Sequence, residues 1–93
     1  MNEEIRQLID EITNAEENYY NAKYDYEQSK AELLLETDFA TAIGKAKPTV
    51  AEKDAFVELE IGDKKHHYHM LRVELNAKKM LFEVMLREIG DVL

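Results

Sequence analysis

Residues 5–33, IRQLIDEITNAEENYYNAKYDYEQSKAEL, decide the fold. Ile5, Leu8, Ile12, Ala15, Tyr19, Ala22, Tyr26, Ser29 and Leu33 follow one another at alternating spacings of three and four. Residues so spaced share one face of a helix, because an α-helix turns once every 3.6 residues. Four heptads without a break predict a helix over about residues 3–36 that packs against a partner in coiled-coil fashion. The middle of this stripe is small (Ala15, Ala22, Ser29), which lets a partner helix approach closely while tyrosines fill the remaining space. Ile9, Leu34 and Leu35 widen the apolar face at its two ends.

Working outward from that helix, the chain changes character after Glu36. Residues 37–48 hold Gly44 and Pro48, the only proline. Residues before proline avoid helical angles, so a connection is expected here. Within it, Thr37 or Asp38 can cap one extra turn over residues 39–43, with Gly44 as its stop. Thr49 followed by Glu52 matches a capping box and predicts a second helix over about residues 49–92. Its stripe runs Val50, Val57, Ile61, Tyr68, Leu71, Leu75, Phe82, Met85, Ile89 and Val92. Lys64 and Lys78 fall on the same stripe, where long stems can be buried and the ammonium groups freed. Gly62 in the helix interior permits a close crossing or a slight bend. The fold class is therefore all-α: an antiparallel two-helix hairpin, coiled-coil-like, forming one domain over residues 1–93. The second helix is the longer, so either its end runs past the start of the first or the segment near Phe39 folds back to cover the excess.

The second helix is apolar on more sides than one hairpin covers. Val73, Ala77, Met80, Leu81 and Val84 form a further stripe on the flank opposite Leu71, Leu75 and Phe82, and Met85 and Ile89 continue the first. A helix apolar over more than about 100° of arc needs more than one neighbour. Self-association into a helical bundle through these ten residues is expected, most simply as a twofold dimer. Docking of a different protein on the same surface is the rival expectation.

Composition narrows the function classes. The 93 residues are 45% hydrophobic and 34% charged, with a formal net charge of −8. No run approaches the roughly 18 apolar residues a membrane span needs, so no membrane partner is expected. The opening MNEEIRQLID lacks the apolar core of a secretory signal, and a cytoplasmic location is expected. Cysteine is absent, which excludes disulfides, thiolate metal sites and cysteine nucleophiles. Residues 1–36 hold ten acids and three bases, a net of −7, whereas residues 37–93 are nearly balanced at ten acids to nine bases. Direct nucleic-acid binding is disfavoured, since it requires phosphate-neutralising Lys and Arg. The converse is a second functional candidate: an acidic first helix that imitates DNA and blocks a nuclease or another nucleic-acid-binding protein. Its partner face would comprise Glu11, Glu16, Glu17 and Asp25 with Tyr20 and Tyr24, which lie off the main stripe.

The one cluster with ligand chemistry is His66, His67, Tyr68, His69. His66 and His69 stand three apart and could share a metal on one helix face. No HExxH is present and no cysteine can complete the coordination, so no cofactor is expected. The carboxylates form no pair set in a cleft, and no phosphate-cradling glycine loop occurs. A non-enzymatic role follows.

The segment 33–60, LLLETDFATAIGKAKPTVAEKDAFVELE, resembles small helical proteins encoded in phages and prophages of Gram-positive bacteria. The likeness rests on the Leu–x–Thr–Asp–aromatic step at Leu35 to Phe39 and the Thr–x–Ala–Glu–Lys–Asp–Ala–aromatic–Val helix start at Thr49 to Val57. It spans the middle third of the chain and brings no catalytic residues. It implies work in the bacterial host cytoplasm, in phage replication, recombination or host takeover.

Overall fold

A computed structural model describes residues 3–92. Three helices follow in order: α1, Glu3–Glu36; α2, Phe39–Ile43; and α3, Val50–Val92. No strand occurs among the described residues. The molecule is a rod of 69 × 18 × 14 Å. Its long axis is close to the length of α3, since 43 residues at about 1.5 Å each give roughly 65 Å.

The two long helices run antiparallel. Leu8, near the start of α1, lies beside Leu81 and Met85 near the end of α3. Tyr26, further along α1, donates a hydrogen bond to Glu58 near the start of α3. Between them, Ala15 and Tyr19 pack on Leu75. The heptad stripe of α1 faces α3 throughout: Ile5, Leu8, Ala15, Tyr19 and Tyr26 are all buried.

The core has two parts. Toward the connection, Tyr26, Phe39, Val57 and Ile61 form one cluster, flanked by Leu33, Ile43 and Phe56. Toward the far end, Ala15, Tyr19 and Leu75 form another, flanked by Ile12 and Leu71. Tyr68 borders both. Its ring centre lies 5.2 Å from that of Tyr26 and 6.2 Å from that of Tyr19. Aromatic side chains thus fill the seam where the α1 stripe is small, and tilted ring pairs at such spacing are favourable beyond their buried area.

The connection is held by caps at each end. Asp38 accepts from the Thr41 backbone N–H at 3.3 Å and from the Thr41 hydroxyl at 2.8 Å. Gly44 ends α2 at φ 79°, in the left-handed region, with its N–H bonded to Ala40 O at 2.9 Å. The capping box at Thr49 forms as its spacing predicts: the Glu52 N–H donates to Thr49 Oγ1, and the Thr49 N–H to Glu52 Oε1, each at 3.1 Å. α2 is short, but it sets Phe39 edge-on to Phe56 at 5.8 Å. The folded-back turn therefore covers α3 around Phe56 rather than at its first residues.

Val50 departs from the expected stripe. It is largely exposed, because α1 ends at Glu36 and α2 covers α3 only from about Phe56 onward. The bend allowed for at Gly62 falls one residue earlier. Ile61 has φ −125° and ψ 18°, outside helical values. It is buried with Phe39 and Val57, so α3 changes direction where it wraps the aromatic cluster.

Candidate interaction surfaces

Charge is arranged across the seam. Lys64 Nζ reaches Asp25 Oδ2 at 3.1 Å and Ser29 Oγ at 2.9 Å. Lys78 reaches Glu11 at 3.7 Å and Glu74 at 3.9 Å. Lys79 reaches Glu16 at 3.2 Å. Two stripe lysines thus extend along the interface and end on acids of α1, as amphipathic stems do. Glu11, Glu16 and Asp25, half of the acidic and aromatic face expected on α1, are engaged with α3. Glu11 and Asp25 nonetheless stay exposed, as do Glu17, Tyr20 and Tyr24, the two tyrosines at 61% and 64%. Tyr20 also lies 5.0 Å from the buried Tyr19 ring.

Titration is perturbed at three places, all structural. Glu52 is pulled down to about 2, first by the hydrogen bond from Lys45 and then by the Thr49 N–H and hydroxyl. Asp38 is lowered chiefly by the Thr41 hydroxyl. Burial and the bond to Glu58 push the Tyr26 phenol up to about 12, and that same bond lowers Glu58. The depressions along the seam are shallow grooves lined by residues such as Ala22, Asp25, Lys64 and His67.

His66, His67 and His69 are all exposed. His69 stacks on Tyr68 at 4.4 Å. Among the described residues no three or more His, Asp or Glu converge as metal ligands do. No described helix is long and apolar enough to cross a membrane.

The apolar surface of α3 divides in two. Leu71 and Leu75 pack on α1, with Leu75 4% exposed, and Phe82 and Met85 are half-buried on the same side. Val73, Met80, Leu81 and Val84 face solvent, at 62%, 66%, 52% and 45% exposure. Met70 and Ala77 are exposed beside them, while Ile89 sits at the margin. At about 100° per residue the exposed set centres roughly 150° around the helix from the set that faces α1. The sequence treats the ten as one interface; folding assigns Leu71 and Leu75 to the interior of the hairpin. A longer reading of the stripe adds His66 and Met70, because 66, 70, 73, 77, 80 and 84 repeat the three–four spacing. Comparison with family models, with curated proteins and with solved structures gives no match for this chain.

Proposed function

We propose that this chain is a non-enzymatic interaction protein: a helical hairpin that self-associates through the outer face of α3 and engages another protein in a bacterial cytoplasm, as the phage-type resemblance suggests. The observation that carries it is the exposed stripe of Met70, Val73, Ala77, Met80, Leu81 and Val84. Contiguous apolar surface of this kind is rare on monomers and marks contact sites. Polar chemistry supports no competing role, since the perturbed carboxylates are helix caps and interhelix partners. The acidic-mimic reading loses support because Glu11, Glu16 and Asp25 already face lysines of α3.

Light scattering at micromolar concentration tests this reading. The expected mass is about twice the 10.9 kDa of one chain or a higher multiple. Val73→Asp and Met80→Asp should each lower the mass to that of a monomer while far-ultraviolet dichroism stays helical, because both side chains are exposed, at 62% and 66%, and lie off the hairpin core. A wild-type monomer at that concentration would overturn the proposal.

A further inference from the structure

Resting on that self-association, we infer that the second copy docks antiparallel, α3 on α3, about a twofold axis that passes between the outer faces at the level of residue 75, so that the dimer is a flat row of four helices with α1 at each outer edge.

Three observations lead there. The first is area. The chain exposes 6961 Å², whereas a folded monomer of 10.9 kDa is expected to expose about 5,600 Å². A contact of ordinary size removes about 800 Å² per partner, so docking a second copy recovers more than half of the surplus. The second is charge. A second copy carries the same −8, and α1 would repel itself. Residues 70–88 hold four bases (Arg72, Lys78, Lys79, Arg87) against three acids (Glu74, Glu83, Glu88). With Lys78 and Lys79 turned to Glu11 and Glu16 of α1, two bases and three acids remain, so the outer face of α3 is apolar and close to neutral on a strongly acidic rod, which suits a copy of itself.

The third observation is the order of the stripe. An isologous contact needs a surface complementary to itself. Positions 66, 70, 73, 77, 80 and 84 are symmetric about 75. An antiparallel partner therefore sets Met70 opposite Met80 of the partner subunit, Val73 opposite Ala77 of the partner subunit, and His66 opposite Val84 of the partner subunit. Small Ala77 meets branched Val73 next to the axis, and the long methionines fill the layers outside it. His69 then comes alongside Glu83 of the partner subunit, twice by symmetry. Parallel pairing on the same stripe would oppose Glu83 to Glu88 of the partner subunit twice by symmetry, against the single Glu74 pair that antiparallel docking sets across the axis. Because this stripe and the α1-facing stripe lie roughly 150° apart on α3, the four helices form a row rather than a closed square bundle.

The absence of native cysteine makes the arrangement directly testable by oxidative crosslinking of full-length chains. In the antiparallel dimer, Met70→Cys and Met80→Cys are opposite each other. Either one is separated from its own symmetry mate by about 15 Å along the helix, beyond the roughly 7 Å Cα separation that a disulfide spans. Mixing the two variants, one carrying a mass tag, should give at least tenfold more crosslinked product than either alone, all of it mixed. Crosslinking of each variant with itself but not in mixture would show parallel pairing and overturn the inference. A dimeric mass with no crosslink in any combination would also overturn it, leaving self-association standing on another face. A monomeric mass for wild type and both variants would instead remove the self-association on which it rests.

Discussion

Gly44 shows how much of the connection hangs on single residues. Its φ of 79° is one that a side chain disfavours through contact of Cβ with the following carbonyl. A Cβ placed there would touch nothing within 4 Å, so the cost of a substitution is backbone conformation alone. Gly44→Ala should destabilise the chain by about 1 kcal/mol, read as a lower midpoint in urea. Gly44→Asn should cost less, since asparagine tolerates the left-handed region. Equal midpoints for wild type and Gly44→Ala would show that the α2 stop contributes nothing to global stability. At this scale the sequence is readable where one residue type answers one backbone demand, as Gly44 and the Thr49–Glu52 pair do. It is less readable where two groups meet from distant positions. Nothing local to Tyr26 announces its hydrogen bond to Glu58, 2.8 Å away across 32 residues. The only hint is that a tyrosine on a core stripe needs a partner for its hydroxyl.

At the scale of elements, periodicity forecast α1 well because all of its stripe faces one neighbour. α3 was harder, since its apolar residues serve two faces and an overhang. Val50, Leu71 and Val73 differ little in type, yet one lies past the end of α1, one packs on it and one faces outward. The length of α1 and the position of α2 set Val50 apart, whereas Leu71 and Val73 differ by about 200° around the helix. The start of α3 is also a pH-sensitive joint. Glu52 holds the capping box and Lys45 together, and its folded value of about 2 lies below the ordinary 4.5. A group lowered on folding stabilises the fold above its unfolded value and loses that contribution as pH falls toward the folded one. Thermal stability should therefore decline between about pH 4.5 and 2, more shallowly in Glu52→Gln. Tyr26 works in the other sense. Its raised value, about 12 against 10, favours the neutral phenol, so stability should fall again between pH 10 and 12. Tyr26→Phe should flatten that alkaline decline, and melting curves across both windows check each sign. An alkaline decline unchanged in Tyr26→Phe would assign it to other groups.

For the whole molecule, the acidity of α1 has two explanations with different consequences. It either presents charge to a partner or holds the hairpin in register against Lys64, Lys78 and Lys79. Contacts across the seam favour the second for Glu11, Glu16 and Asp25, and each exposed pair contributes roughly 0.2–1 kcal/mol. Reversing all three to Lys would also set like charges face to face. That triple variant should lose roughly 1–3 kcal/mol of stability, and the loss should shrink as salt screens the repulsion over about 8 Å at physiological ionic strength. Glu17→Lys, on the exposed side beside Tyr20 and Tyr24, should leave the melting temperature almost unchanged. The two variants together separate folding from recognition. If the triple reversal melts like wild type while Glu17→Lys alone releases a bound partner, the acids serve recognition and the register explanation fails. The expected outcome is the reverse for stability: a salt-sensitive loss in the triple variant and none at Glu17. An apolar partner contact would then answer to Val73→Asp, with charge changing mainly the rate of encounter.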